Sequence, residues 1–264
     1  MPGTQIDTNG TALHVLDTGP RAAPALVLLH ALGTDLRIWD GLAARLPDTL
    51  RLVRIDMRGH GLSACPDAPY PMGALVSDVE GVLDALGLSG TALLGLSLGG
   101  MIAQGLAVKR PDLVGALILS NTAAKIGTVQ QWQDRIGAAR AGGLEALADG
   151  TMERWFPEPF RAGPEAALIR RLFTRQPIEG WAGCAAAIAG TDFYTPTSGL
   201  RLPTLAIAAD HDGSTPPDLV RETAELIEGA RVHLIRGAGH LPCIDAPDAY
   251  AQAVIDFLAE TGHL

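Results

Sequence analysis

Short apolar runs recur along the chain, and polar residues seldom interrupt them. These runs are rich in leucine, valine and isoleucine without alternation, which is typical of strands buried on both faces of a parallel sheet. They cover residues 25–29, 50–55, 91–96, 115–119, 204–209 and 232–235.

Other segments predict a hairpin and helices. Asn9-Gly10 favours a tight turn between two short β-like stretches, so the chain is expected to open with a β-hairpin. After Pro71, apolar residues keep a helical period through residues 75–86, and a last helix is expected over about 246–259. Strands that alternate with helices predict an α/β fold whose sheet is covered on both faces.

Residues from about 123 to 197 depart from this alternation. They contain helical stretches and three of the four tryptophans, but no convincing strand. We therefore predict a core formed by residues 1–122 and 197–264, with a helical cap inserted over the sheet by residues 123–196.

Composition narrows the class of protein. The chain is 47% hydrophobic and 19% charged, with a formal net charge of −9, which suits a packed core and disfavours binding to nucleic acid or to a membrane surface. The electrostatic field of this negative charge also repels a small anion unless the site supplies a local cation. Cys65, Cys184 and Cys243 have no paired spacing, so neither disulfides nor a metal site are expected. With no secretory signal or membrane-spanning run recognised, a soluble cytoplasmic protein is expected, without a cofactor.

The clearest chemical signal is Gly95-Leu96-Ser97-Leu98-Gly99-Gly100, at the junction of a predicted strand and a helix. A nucleophilic serine on such a turn has glycine neighbours because larger side chains would clash with the strand and the helix. The string predicts Ser97 as a nucleophile at the N-terminus of the following helix, which favours developing negative charge.

Such a serine needs a base and an acid, which follow it in the chain in the order acid, then histidine. Of the histidines after Ser97, His240 is chosen because it lies in a loop of small residues after the last predicted strand. Asp210 and Asp212 both follow the strand at 204–209 and qualify as the acid; Asp212, in the fuller loop, is preferred.

An oxyanion requires backbone donors. The N–H of Leu98, after the nucleophile, is one; the other is expected from Leu32, in the loop after the first buried strand. His30 and His60 are interpreted as residues that shape their loops, not as catalytic groups.

Together these strings resemble the α/β-hydrolase family over essentially the whole chain. The resemblance rests on the strings at residues 30–33, 56–61, 95–100, 212–217 and 237–240. It implies an eight-stranded, mostly parallel sheet with helices on both faces and a helical cap after the sixth strand. It also implies Ser97, Asp212 and His240 as a catalytic triad.

Within that family the chain looks most like the bacterial 3-oxoadipate enol-lactonases, on strings at residues 32–35, 39–40, 120–127, 132–136, 153–156 and 180–184. Ala209 departs from the pattern, since relatives commonly carry glycine there. The resemblance implies a serine hydrolase of aromatic catabolism whose substrate is a small anionic enol-lactone.

The substrate carboxylate would need a cation, and Arg135 is the hypothesis because arginine binds carboxylates through two parallel hydrogen bonds. A solvated helix face is the competing interpretation for Arg135, and Lys125 is a weaker candidate. Trp132 and Trp181 are candidate pocket walls, although tryptophans in such caps also serve as core.

Other functions stay open on the same residues. A carboxylesterase, a perhydrolase or a C–C bond hydrolase would use the same triad, and a non-catalytic binding module would keep only the fold. The sequence also leaves a homo-oligomer open, and no spacing of His, Asp or Glu suits a metal.

Overall fold

The structure is a computed structural model that describes residues 3–264. Eight strands form one sheet: β1 (Thr4–Thr8), β2 (Thr11–Thr18), β3 (Ala25–Leu29), β4 (Arg51–Ile55), β5 (Thr91–Leu96), β6 (Val114–Ser120), β7 (Thr204–Ala209) and β8 (Arg231–Ile235). Their spatial order is β1-β2-β4-β3-β5-β6-β7-β8. From β4 to β8 all neighbours are parallel, while β2 pairs antiparallel with both β1 and β4.

Helices connect and cover the strands. They are α1 (Asp40–Ala43), α2 (Met72–Ala85), α3 (Leu98–Lys109), α4 (Val129–Gly142), α5 (Glu145–Trp155), α6 (Glu158–Arg161), α7 (Pro164–Thr174), α8 (Ile178–Ala189), α9 (Tyr194–Ser198), α10 (Pro217–Glu225), α11 (Pro242–Asp245) and α12 (Pro247–Glu260), with a 3-10 helix at Leu36–Trp39. Strand β7 shows why the sheet is apolar on both sides. Ala206 and Ala208 pack with Val220 and Ala224 of α10, whereas the alternate residues of β7 join the main core.

The first hairpin follows from its turn. Asn9 and Gly10 both have positive φ, at 54° and 80°, as a type I′ turn requires. The turn joins β1 to β2, and this hairpin extends the otherwise parallel sheet at one end.

One strand differs from expectation. Residues 232–235 do form a strand, but the prediction that it is buried on both faces is wrong, because Arg231, Val232 and His233 are exposed. Strand β8 pairs only with β7 and lies at the edge of the sheet, where one side lacks a neighbouring strand.

Between β6 and β7 the chain forms six helices, α4 to α9, with no strand among these described residues. The predicted eight-stranded, mostly parallel sheet with a helical insertion after the sixth strand is therefore confirmed. The division into a core of residues 1–122 and 197–264 and a cap of residues 123–196 stays a prediction. In the part of the chain that the structure describes, no helix combines the length and apolar character needed to cross a membrane.

Candidate active site

Ser97 lies at the sharp turn between β5 and α3. Its backbone has φ 57° and ψ −115°, a conformation that L-residues rarely adopt, so the turn is strained. Two hydrogen bonds hold it: the Ser97 N–H donates to the carbonyl of Ser120, and the hydroxyl of Thr122 donates to the carbonyl of Ser97 at 2.6 Å. The strained turn presents the serine side chain at the carboxyl edge of the sheet.

The glycines around Ser97 are needed because of close backbone contacts. A Cβ on Gly95 would lie 2.2 Å from the carbonyl oxygen of Gly99, and one on Gly99 would lie 2.2 Å from that of Leu29. These distances exclude any side chain at either position, so α3 can approach β3 and β5 only with this sequence.

His240 and Asp212 form a buried pair. Nδ1–H of His240 donates to Oδ2 of Asp212 at 2.8 Å, and the two side chains are 2% and 0% exposed. The bond assigns the proton to Nδ1 and leaves Nε2 free to accept one. Within residues 3–264, Ser97 and His240 line the same cavity but form no hydrogen bond with each other, and such bonds often tighten only when substrate binds.

The Asp212 carboxylate is held in its charged form. Oδ1 accepts from the N–H groups of Ser214 and Thr215, and Oδ2 accepts from the Thr215 hydroxyl as well as from His240. Burial alone would raise the pKa of Asp212, but His240 and these hydrogen bonds outweigh burial and lower it. An ionised carboxylate can orient the imidazole and stabilise a positive charge on it.

The competing residues lie elsewhere. Asp210 accepts a hydrogen bond from the N–H of Gly237, and His211 beside it is exposed, so the geometry places Asp212 at His240 and Asp210 at the base of the loop. His233 is on the exposed edge strand, and His263 contacts the carbonyl of Gly90 at 3.2 Å.

Asn121 is a residue of this site that sequence reasoning missed. It follows β6 with a φ of 44°, and its Nδ2 donates to Oδ2 of Asp212 at 2.9 Å. The same amide contacts the carbonyl of Gly239, next to His240, at 3.5 Å. Its place directly after a buried parallel strand was the available signal, since such strand ends meet at one edge.

The predicted oxyanion donors face the same region. Leu98 begins α3 directly after Ser97, and Leu32 lines the cavity with Ser97 and His240. Among the described residues, neither the N–H of Leu32 nor that of Leu98 has an acceptor, which leaves both able to bind an oxyanion.

A cavity of about 400 Å³ opens over Ser97. It is lined by Leu32, Ser97, Ile126, Gly127, Gln131, Trp132, Asp134, Arg135, Arg154, Trp155, Phe173, Trp181, Ile188, Gly213, Ser214 and His240. The predicted residues Trp132, Arg135 and Trp181 are thus brought together with Ser97, whereas Lys125 pairs with Asp192 at the surface.

Arg135 is held between two indole rings. Its guanidinium carbon lies 4.4 Å from the ring centroid of Trp132 and 5.6 Å from that of Trp181, and its buried Nε has no hydrogen-bond partner among the described residues. Burial, with a smaller contribution from Arg154, lowers the pKa of Arg135 to about 10, so it stays a cation at neutral pH.

Arg154, on α5, is a second cation that sequence reasoning did not single out. It lines the same cavity, and its guanidinium donates to the Thr151 hydroxyl. Within the described ranges no carboxylate pairs with either arginine, although the chain carries nine more acidic than basic residues. Asp134 is the one acidic residue among the described lining residues, so the two arginines leave the cavity with an excess of positive charge.

The end of α5 also contacts the loops that carry Asp212 and His240. The carbonyl of Arg154 accepts from the N–H of Gly213, and that of Trp155 accepts from the N–H of His240 at 2.7 Å. The Trp155 ring stacks on the His240 imidazole with centroids 6.1 Å apart. The insertion thus contacts the loops of both acid and base.

Across residues 3–264 no group of three or more His, Cys, Asp or Glu side chains is placed to hold a metal.

Known proteins resemble this chain in sequence and in fold. A family model described as alpha/beta hydrolase fold matches residues 24–247. The "3-oxoadipate enol-lactonase 2" of Acinetobacter baylyi is 32% identical over 92% of this chain and 91% of its own. Among solved structures, the enol-lactonase from Burkholderia xenovorans LB400 is 37% identical with a TM-score of 0.93, covering 97% of this chain and 100% of its own. A thermophilic esterase from Thermogutta terrifontis, with malate bound, is 27% identical with a TM-score of 0.92, covering 99% of both chains.

Replacing Asn121 with glycine tests its hold on Asp212. Glycine tolerates the positive φ, so the variant removes the amide without adding backbone strain. A hydrogen bond to a charged group contributes about 1.5–3 kcal/mol, so we expect kcat/KM for nitrophenyl acetate to fall roughly tenfold to hundredfold. Asn9→Gly, at an exposed turn with φ 54°, is the matched control and should keep full activity. Wild-type activity in Asn121→Gly would contradict the role.

Asp245 should make stability depend on pH. Its Oδ2 accepts from the N–H of Gly239, and within residues 3–264 its buried Oδ1 has no hydrogen-bond partner. Burial raises the pKa of Asp245 to about 7 from the usual 3.8. The folded state therefore keeps a proton that the unfolded chain releases, and stability falls as pH rises from about 4 to 7.

Urea unfolding of wild type and Asp245→Asn over this range measures the effect. We expect the difference in unfolding free energy between them to change by a few kcal/mol in favour of the variant, since one pKa unit corresponds to about 1.36 kcal/mol. Asp248→Asn, at an exposed position, should show no such change. A difference independent of pH would show that Asp245 does not titrate in this window.

Proposed function

Since the chain belongs to the alpha/beta hydrolase family, we propose that this hydrolase uses Ser97 to open the ring of 3-oxoadipate enol-lactone, forming 3-oxoadipate. One observation carries the proposal: Ser97 and His240 share a cavity of about 400 Å³ with two arginines that pair with no carboxylate among the described residues. A small lactone bearing a carboxylate matches both the size and the charge of that cavity.

The first half-reaction forms an acyl-enzyme. His240 Nε2 takes the proton of the Ser97 hydroxyl while the serine oxygen attacks the ring carbonyl carbon. The N–H groups of Leu32 and Leu98 bind the oxyanion. When the tetrahedral intermediate collapses, the ring C–O bond breaks, and the enol oxygen leaves with a proton from His240. The enol then becomes the ketone.

The second half-reaction frees the serine. Because the leaving group stays tethered to the acyl chain, ring opening leaves the whole substrate on Ser97. His240 takes a proton from water, the resulting hydroxide attacks the ester carbonyl, and the proton returns to the Ser97 oxygen as it leaves. The product carries two carboxylates, one of them newly formed.

The carboxymethyl group of the substrate is assigned to Arg135. Arg135 lines the cavity, packs against the two tryptophan rings and stays charged at neutral pH, which suits it to bind a carboxylate. Arg154 adds positive charge to the same cavity. In a chain of net charge −9, these residues supply the local attraction that an anionic substrate needs.

Similar proteins support the choice of lactone, because those from A. baylyi and B. xenovorans are named enol-lactonases. From the resemblance of its sequence strings, rather than from these names, we propose that the enzyme acts in bacterial catabolism of aromatic compounds, in the cytoplasm. Carboxylesterase activity is the second candidate, favoured by the likeness to the T. terrifontis esterase.

The direct test follows the ultraviolet absorbance of freshly generated 3-oxoadipate enol-lactone. We expect fast decay with wild type and only background decay with Ser97→Ala, because the variant lacks the attacking oxygen. If wild type cleaves nitrophenyl acetate but not the lactone, the enzyme is an esterase and the lactonase assignment is wrong.

Arg135→Gln tests recognition of the carboxylate. Loss of a charged hydrogen bond should raise KM for the lactone roughly tenfold to hundredfold, while kcat/KM for the neutral nitrophenyl acetate changes by less than about threefold. Arg140→Gln is the matched control on the same helix, since Arg140 is exposed and paired with Glu179. It should leave KM for the lactone and kcat/KM for nitrophenyl acetate unchanged.

Arg154→Gln, measured in parallel, shows whether the second arginine shares this role. Equal losses on the charged and the neutral substrate in Arg135→Gln would mean that the residue supports the cavity rather than the carboxylate. An unchanged KM for the lactone would mean that Arg135 does not bind it.

A further inference from the structure

We propose that His30 and His60 are positioning residues of the oxyanion hole, locking the loop that carries Leu32 through a reciprocal exchange of hydrogen bonds with a neighbouring loop. The oxyanion loop is residues 30–34, after β3, and the brace loop is residues 56–61, after β4. The inference rests on the serine-hydrolase part of the proposed function and is independent of which ester or lactone is cleaved.

Each loop sends one histidine into the other. His30, on the oxyanion loop, accepts at Nε2 from the N–H of Met57 at 3.0 Å. His60, on the brace loop, accepts at Nε2 from the N–H of Gly33, also at 3.0 Å. The two rings lie side by side, with centroids 5.4 Å apart. Neither loop can shift without breaking a bond made by the other.

The remaining ring nitrogens fix the tautomers. Nδ1–H of His30 donates to the carbonyl of Ala31 at 2.9 Å, and Nδ1–H of His60 donates to that of Arg58 at 3.2 Å. Both rings therefore use both nitrogens, with the proton on Nδ1 and the acceptor on Nε2. Each histidine bridges its own loop and the opposite one.

Both rings are completely buried. Their hydrogen bonds from the N–H groups of Met57 and Gly33 require both rings to be neutral. Burial, and secondarily His30, lowers the pKa of His60 to about 3, while burial also lowers the pKa of His30. A protonated ring would point an N–H at the backbone N–H it now accepts from. Neutral imidazoles are thus well suited here as fixed acceptors, and neither is placed to act as a base toward Ser97.

The hydrogen bonds of this loop leave one backbone N–H free for the oxyanion. His60 consumes the N–H of Gly33, and the carbonyl of Ala31 consumes that of Thr34 at 3.1 Å. The N–H of Leu32, just before these two, has no acceptor among the described residues, and Leu32 lines the cavity. The turn is therefore fixed through the N–H groups of Gly33 and Thr34, while the N–H of Leu32 stays free for the oxyanion.

The brace loop is itself anchored. Oδ1 of Asp56 accepts from the N–H of Leu36, and Oδ2 accepts from the N–H of Leu62 and from His14 at 2.8 Å. The bond to Leu36 is a further link between the two regions. His60 thus acts from a rigid support, which is what precise placement of a donor requires.

A packing role and a positioning role differ in what they change. If His60 only fills space, its loss should lower stability and leave the chemistry of folded enzyme intact. If it places the Leu32 N–H, its loss should weaken binding of the tetrahedral oxyanion and spare binding of the planar substrate, so kcat falls and KM holds.

The experiment compares His60→Phe with His60→Gln, using nitrophenyl acetate and phenylboronic acid, whose tetrahedral adduct with serine places an oxygen in an oxyanion hole. Removing one oxyanion donor outright costs roughly 10²–10³ in kcat, so a displaced donor should cost about tenfold to hundredfold. For His60→Phe we expect that loss in kcat, a parallel loss of boronate affinity and a KM within about threefold. The Gln side chain can still accept from Gly33 and should restore most of both.

Cys184→Ala is the matched control. Its Sγ lies 3.9 Å from Nδ1 of His60 and 3.6 Å from the carbonyl oxygen of Arg58, so the variant perturbs packing beside the ring but removes no atom of the hydrogen bond between Gly33 and His60 Nε2. It should keep wild-type kcat and boronate affinity. Thermal unfolding of each variant checks the fold, and His60→Asn, too short to reach Gly33, replaces His60→Phe if that variant does not fold.

Three results would overturn the inference. They are an unchanged kcat and boronate affinity in folded His60→Phe or His60→Asn, an equal loss in Cys184→Ala, or no recovery in His60→Gln. A wild-type protein that neither cleaves nitrophenyl acetate nor binds the boronate would instead overturn the serine-hydrolase proposal on which the inference rests.

Discussion

The parallel register of β3, β5, β6, β7 and β8 is the constraint on which the site depends. Parallel strands bring their carboxyl ends to one edge, and each of these strands ends in a segment that supplies one part of the site. The oxyanion loop, Ser97, Asn121, Asp212 and His240 follow in that spatial order. Residues up to 210 positions apart in the chain, from His30 to His240, are brought to one edge by backbone hydrogen bonds between the strands.

Hydrogen bonds from neighbouring residues then fix the conformation of each loop. Asn121 and Thr215 hold Asp212, the end of α5 holds the loops of acid and base, and two buried histidines hold the oxyanion loop. Because α5 also contributes Arg154 to the cavity, the same short segment contacts the catalytic loops and sets the charge of the space above them. Catalytic geometry and substrate charge are thus coupled through one helix end.

The parallel sheet and the turn at Ser97 could be predicted from the sequence because their signals are local. Buried parallel strands leave uninterrupted apolar runs, and the tight turn at Ser97 leaves its glycines. The exposed face of β8 could not be predicted, since an apolar run does not tell an edge strand from a central one. Asn121 and Arg154 were missed because their roles arise from residues distant in the chain. Asn121 follows β6 and donates to Asp212, which follows the neighbouring strand β7. Arg154 is notable only because it lines the cavity and no carboxylate in the described chain pairs with it.

In the proposed reaction, Ser97 becomes covalently bonded to the ring-opened lactone. Rapid acid quenching of enzyme mixed with saturating 3-oxoadipate enol-lactone, followed by intact-mass and peptide mass spectrometry, tests it most directly. Because ring opening releases no fragment, the account predicts an adduct with the full mass of the lactone on the peptide that contains Ser97. Consumption of the lactone with Ser97 unmodified throughout, or with the adduct on another residue, would contradict it.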